Sequence, residues 1–396
     1  MKYCVLIVDG AAGLPIPERG GKTSLELART PNLDAMAEKG VLGLARTIPD
    51  GMEPSSSNAC MSVLGYDPGR YPIGRAAIEA KSLGVPASRG DVLFRCNLVT
   101  VQDGKMRDYS AGHIHTDEAR ELIEALDKAL GSKTLHFYPG LSYRHIAKIT
   151  GSEETLKAEC TPPHDISGKP VAQFLPRGAG SKLLRDLMKR SEAVLLNHPV
   201  NKARQSRGEL PATTIWLFWG SGLNLSMPAF KQAYGLKAAA TSAVDVIKGL
   251  AGLLGMEVLD IPGVKDGLDN DFAGQAEGGL SALEKNDMVV IHIEATDEAG
   301  HVGSVADKVA AIEKTDKEVA RRLRNWKGEP LRVLVMPDHP TPITTRTHNP
   351  DPVPFMLWGE GITSSGAKRF TEKEAAGTGL FIDSGYSIMG RLVLPK

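Results

Sequence analysis

The chain has 396 residues, 42% of them hydrophobic, which is enough for a large core and points to two or three domains. Lysine plus arginine equals aspartate plus glutamate at 47 each, so no global field draws the protein to nucleic acid or to an acidic membrane, although a local basic pocket is compatible with that balance. Four cysteines without a CxxC pair exclude a disulfide framework and read as reduced, mostly buried thiols.

The first element, "MKYCVLIVDG", is a short apolar run that meets Asp9 too early for a signal peptide, which predicts a cytoplasmic protein. No later segment approaches the roughly 18 apolar residues of a membrane span. "GGKT" at 20–23 is not a phosphate-binding P-loop, because the glycine that such a loop requires is Ile16 here. "TPNLDAMAEKG" predicts a helix with Thr30 as N-cap, Pro31 in its first position and Gly40 just past its end. "EPSSSNACMSVLGYDP" then places Ser55, Ser56 and Ser57 before a short helix closed by Gly65.

From about 80 to 235 the pattern changes. Candidate strands such as "DVLFRCNLVTV" and "LSYRHIAKIT" are irregularly spaced, while "CTPPHDISGKP" and "NKARQSRGELP" are polar and turn-rich. This predicts an inserted α+β cap domain over residues 81–235, within a core split between 1–80 and 236–396. In the second half, "TSAVDVIKGLAGLLG" and "DKVAAIEKTDKEVARRLRNW" carry helical spacing. The runs "YCVLIVDG", "AVLLNH" at 193–198, "DMVVIHIE", "LRVLVMPD" and "VPFMLWG" lack alternation and suit strands buried on both faces of a largely parallel sheet. The expected class is therefore α/β, with helices flanking the sheet.

Ligands of open α/β sheets bind beyond the carboxyl ends of the strands. Asp9, Asp297 and Asp338 would emerge there together if these runs share one sheet. In "EATDEAGHVG" Asp297 and His301 are four residues apart, which brings both to one face of a helical turn or tight loop. With Asp338, His339 and His348, three aspartates and three histidines suit two divalent ions, and the oxygen and nitrogen set points to manganese, zinc or magnesium. A paired-metal centre suits a phosphoryl substrate. Any of Ser55, Ser56 and Ser57 could serve as nucleophile, since free N–H groups at a helix start favour a phosphate.

At this point the chain resembles the archaeal-type cofactor-independent (2,3-bisphosphoglycerate-independent) phosphoglycerate mutases of the alkaline phosphatase superfamily. "DGAAGLP", "GGKTSLELARTPNLD", "MSVLGYDP", "GRAAIEA", "FRCNLVTV", "TPPHDISGKP", "DEAGHVG", "PDHPTP" and "HNPDPVPF" fall in family order over nearly the whole chain. The resemblance implies an alkaline-phosphatase-like core and two divalent cations, manganese first, with magnesium or zinc as alternatives. It implies that Asp9, Ser56, Asp338 and His339 hold one cation and Asp297, His301 and His348 the other, with Ser56 phosphorylated during turnover. It further suggests His113, Arg144, His164, Asp165 and Arg204 as contacts to a small phosphorylated anion, with Arg75 and Lys248 behind them.

The family usually reads "PGSD" before "ANM", whereas this chain has "PSSSNACM", so Ser55 and Ser57 stay beside Ser56 as candidates. The implied reaction interconverts 3-phosphoglycerate and 2-phosphoglycerate while the cap keeps water out. A homoserine kinase of the same fold, and a metal-dependent phosphatase or phosphodiesterase, are the alternatives.

Overall fold

A computed structural model describes residues 1–222 and 227–393. Its contacts divide the chain into two units, Met1–Pro72 with Ser226–Lys396, and Ile73–Leu225. In chain order the strands are β1 (Lys2–Val8), β2 (Val41–Ala45), β3 (Asp91–Gln102), β4 (Lys105–Asp108), β5 (Leu135–Tyr138), β6 (Arg144–Thr150), β7 (Thr214–Gly222), β8 (Ala238–Thr241), β9 (Glu257–Val258), β10 (Met288–Ile293), β11 (Leu331–Met336), β12 (Val353–Gly359) and β13 (Phe381–Ile382).

The first unit carries an eight-stranded sheet in the order β13-β2-β12-β11-β1-β10-β8-β9. β1 lies between β10 and β11, parallel to both, with Val8 opposite Ile293 and Ile7 opposite Met336. The three carboxyl ends are therefore level, and the residues just beyond them must meet. These strands have no polar face, since nearly every residue along them is buried, and on one face Leu33 and Met36, Phe272 and Ala276, and Ala311 and Ile312 pack with Leu6, Val289 and Val333 in one cluster. Each fully buried Leu, Ile or Val adds about 1.5–3 kcal/mol. "VPFMLWG" forms β12, but it runs antiparallel to both β11 and β2, so its end does not point toward the site.

Helix Pro31–Ala37 starts as expected, yet the Thr30 hydroxyl bonds to the Asp34 carboxylate rather than to a backbone N–H. The capping oxygen comes instead from Asp316, whose Oδ1 accepts from Asn32 N at 2.9 Å and Leu33 N at 2.7 Å, and whose Oδ2 accepts from Asn32 Nδ2 at 2.8 Å. Asp316 sits in the π-helical turn Thr315–Ala320, an extra-residue bulge that turns its carboxylate toward the other helix. Asp316→Ala removes a cap and leaves buried donors unpaired, so a loss of about 2–4 kcal/mol in urea unfolding is expected. A change below about 0.5 kcal/mol would show that the contact contributes nothing.

The second unit is an antiparallel sheet, β4-β3-β6-β5 with β7 on the other side of β3, covered by helices that include Thr116–Leu130 and Ser181–Leu196. The run "AVLLNH", read above as a strand, is instead the end of the second of these helices. Its Leu195 continues a buried stripe of Leu184, Leu187, Met188 and Ser191, at helical spacing that a six-residue window cannot reveal. "NKARQSRGELP" likewise includes most of a helix, Pro199–Ser206. Helix Arg75–Ser82, assigned above to the core, belongs to this unit because Ala76, Ala77 and Ala80 pack on Leu93 and Ile146. Among the described residues, no helix is long and apolar enough to cross a membrane.

Candidate metal centre and nucleophile

Asp9 follows β1, Glu294 and Asp297 follow β10, and Asp338 and His339 follow β11, so the parallel register delivers four carboxylates to one edge. Asp297 and His301 lie in helix Ala295–Val302, one turn apart. His348 arrives on the loop before β12. Among the described residues, three groups of ligand atoms able to hold a metal ion result: Asp9, Asp338 and His339; Asp297, His301 and His348; and Asp9, His292 and Glu294.

In the first group, His339 Nε2 lies 3.3 Å from Asp338 Oδ2 and 3.6 Å from Asp9 Oδ1. Ser56 Oγ is 3.1 Å from the same nitrogen. The three adjacent serines differ in use. Ser55 is the N-cap of helix Ser56–Val63 and accepts from Asn58 N, Ser57 bonds Ser55, and Ser56 alone among them reaches the ligand group. Cys60, one turn further along, places Sγ 3.5 Å from Asp338 Oδ2, and burial pushes its thiol pKa up.

In the second group, Asp297 Oδ2 is 3.1 Å from His301 Nε2 and Oδ1 is 3.6 Å from His348 Nε2. His301 Nδ1 lies 3.0 Å from the Arg346 carbonyl, and His348 Nδ1 lies 3.3 Å from the Pro54 carbonyl. A carbonyl can only accept, so each Nδ1 carries the hydrogen of the neutral ring and each Nε2 is bare. Those two bare nitrogens face each other at 3.0 Å. Opposed lone pairs at that distance need a shared proton or a cation.

The electrostatics give the same answer. Burial raises the Asp9 pKa well above the carboxylate range, and Asp338, Glu294 and Asp297 raise it further. Burial, with Asp297 beside it, lifts Glu294 to about 8. Asp297 is pulled the other way: burial would raise it, but a proton held on His301 and shared toward Asp297 and His348 keeps it far down, and His301 rises to about 9 in return, so positive charge is favoured between the two rings. Asp9 Oδ1 and Glu294 Oε2 are buried without a hydrogen-bond partner. Crowded carboxylates, unpartnered oxygens and paired bare imidazoles fit divalent cations bound through oxygen and nitrogen.

His292 and Glu294 escape the sequence reading. His292 donates or accepts at 2.9 Å to Asp9 Oδ2, and its Nδ1 lies 3.1 Å from Ser242 Oγ, so it orients Asp9 from beneath. The available signal was polar residues inside the apolar run "VVIHIE", where a sheet buried on both faces has no use for them unless they face a partner.

In the second unit, the rings of Tyr109 and Tyr143 gather His113 at 6.3 and 6.0 Å, and Tyr109 meets His164 at 6.2 Å. Arg144 lies over Tyr143 at 5.5 Å, and exposed Asp165 is 3.6 Å from His164 Nε2. His113 holds a positive φ of 52°, braced by Ser110 and Asp108. Arg204 does not join them. It is 2% exposed, ion-paired to Glu118 and Glu209, and bonded to the carbonyls of Leu210 and Ala111, so its guanidinium is already satisfied. Arg75 pairs with Glu79 and stacks on Trp219 at 4.9 Å, while Lys248 lies in helix Asp245–Leu253.

A family model described as 2,3-bisphosphoglycerate-independent phosphoglycerate mutase matches residues 37–201. Proteins of that name from Methanothrix thermoacetophila and Methanosarcina barkeri are 46% and 47% identical to this chain, covering 99% and 100% of it and all of each relative. A solved protein from Pyrococcus horikoshii superposes with a TM-score of 0.84 at 27% identity, over 99% of this chain and 96% of its own. The cofactor-independent phosphoglycerate mutase of Thermoplasma acidophilum gives 0.70 at 25% identity, over 99% of both chains.

Proposed function

The chain belongs to the 2,3-bisphosphoglycerate-independent phosphoglycerate mutase family, and from that premise we propose that it interconverts 3-phosphoglycerate and 2-phosphoglycerate with Ser56 as the phosphoryl carrier. The enzyme is an isomerase of the intramolecular phosphotransferase kind. The observation that carries the role of Ser56 is its Oγ, 3.1 Å from His339 Nε2 at the first residue of a helix.

We assign one divalent cation to Asp9, Ser56, Asp338 and His339 and a second to Asp297, His301 and His348, with manganese the first choice and magnesium or zinc the alternatives. Bound there, the ions supply a lowered hydroxyl pKa and counter-charge for the phosphoryl oxygens. The protein's own part is positional. Ser56 Oγ forms a bond to phosphorus as its proton leaves, the bond from phosphorus to the 3-oxygen of the substrate breaks, and that oxygen takes a proton. Glycerate then turns, its 2-hydroxyl loses a proton as it attacks the phosphoserine, and Ser56 recovers its hydrogen. The free N–H groups of the helix start favour the phosphate in both halves.

Holding glycerate between the halves needs groups for its carboxylate, and we give that role to His113, Arg144, His164 and Asp165. Arg144→Ala is expected to raise KM about tenfold or more, the worth of one charge-assisted hydrogen bond, while leaving metal affinity unchanged. An unaltered KM would remove Arg144 from the set.

The deciding experiment incubates metal-loaded protein with 3-phosphoglycerate, without bisphosphoglycerate or ATP. Formation of 2-phosphoglycerate is expected. No conversion, with phosphorylation of homoserine from ATP or release of free phosphate alone, would overturn the mutase in favour of the kinase or the phosphatase.

A further inference from the structure

Thr341, two residues beyond His339, is wholly buried. Its hydroxyl donates to Asp297 Oδ1 and lies 3.3 Å from His339 Nδ1. A hydroxyl has one proton to give. With that proton on Asp297, the oxygen can only accept from His339, so Nδ1 carries the ring hydrogen and Nε2 is bare. Bare Nε2 is the nitrogen that faces Ser56 Oγ at 3.1 Å and Asp338 Oδ2 at 3.3 Å. We propose that Thr341 is a positioning residue that links the two ligand groups, fixing the tautomer of His339 in one and the orientation of Asp297 in the other.

The threonine is itself held from several sides. Its N–H lies 3.3 Å from the Gly10 carbonyl and 3.1 Å from that of Ala12. Its own carbonyl accepts from Lys308 Nζ at 2.7 Å, and the same ammonium reaches Ala12 O at 3.2 Å. Lys308 is a buried bolt between the turn after β1 and the turn after β11, the two segments that carry Asp9 and Asp338–His339. Gly10 and Gly300 make the space: a Cβ on Gly10 would fall 2.6 Å from Thr341 Oγ1, and one on Gly300 would fall 2.7 Å from Thr341 O. Neither position admits a side chain without moving the hydroxyl.

The inference rests on the reading of Asp297 and His339 as ligands of two cations. Thr341→Val keeps the shape and removes the hydroxyl; Thr341→Ser keeps the hydroxyl. In competition between Mn²⁺-loaded protein and a chromophoric chelator, the valine variant is expected to bind roughly 10–100-fold more weakly, the usual cost of losing an outer partner of a metal ligand, and the serine variant to stay near wild type. Equal affinity in wild type and the valine variant overturns the inference and leaves the ligand reading intact. Wild type that binds no divalent cation overturns both. Should the valine variant not fold, nitrogen-15 histidine spectra of the Mg²⁺-loaded wild type decide: a protonated Nδ1 on His339 is expected, and a protonated Nε2 overturns the assignment.

Discussion

Replacing Ser56 with alanine is expected to abolish mutase turnover, by a factor on the order of 10⁶ if the loss matches that of other covalent nucleophiles, and with it any acid-stable phosphoenzyme. The fold should survive, because the helix cap is the hydroxyl of Ser55, whereas that of Ser56 lies against His339. Ser55→Ala provides the contrast: it removes a cap worth about 1 kcal/mol and should lower stability more than rate. An active Ser56→Ala enzyme beside an inactive Ser55 or Ser57 variant would move the nucleophile by one residue.

Removing divalent cations is expected to be as severe. Exhaustive chelation should take activity to background, and Mn²⁺ should restore it. The chelated protein must also carry the mutual repulsion of Asp9, Glu294, Asp297 and Asp338 at one sheet edge, which burial intensifies. Binding to the folded state alone stabilises it by about 2.7 kcal/mol when free cation is 100 times Kd, so thermal unfolding should shift upward with Mn²⁺ concentration. Full activity after chelation, or a melting temperature indifferent to Mn²⁺, would sink the assignment of these residues as ligands.

Much of the core was legible because its strands announce themselves twice, by an unbroken apolar run and by the acidic residue that ends it. Asp9 and Asp338 end two such runs, and the helical spacing of Asp297 and His301 adds a third element that the fold brings beside them. His292 and Glu294 were hidden inside such a run, since a polar residue in a buried strand explains itself only when its partner is known. Arg204 shows the opposite case: a lone arginine in a polar stretch looks available, and only tertiary structure shows Glu118, Glu209 and two carbonyls around it. The helix over 181–196 was lost because its last four residues, Ala193–Leu196, taken alone, are as apolar as a strand. Thr341 could not be seen at all, because its meaning lies in two hydrogen bonds that only the folded chain supplies.

The placement of β1 has a consequence for biosynthesis. Residue 7, in the first strand, pairs with one neighbour at residue 292 and with another at residue 336. The nascent polypeptide therefore carries an oily segment whose partners, over residues 288–293 and 331–336, are synthesised long after it, while the five strands between residues 91 and 222 find all their mates much earlier. Chaperone occupancy on that segment should persist until residues 331–336 have been made, and products that stop short of residue 331 should be handed to proteolysis rather than released.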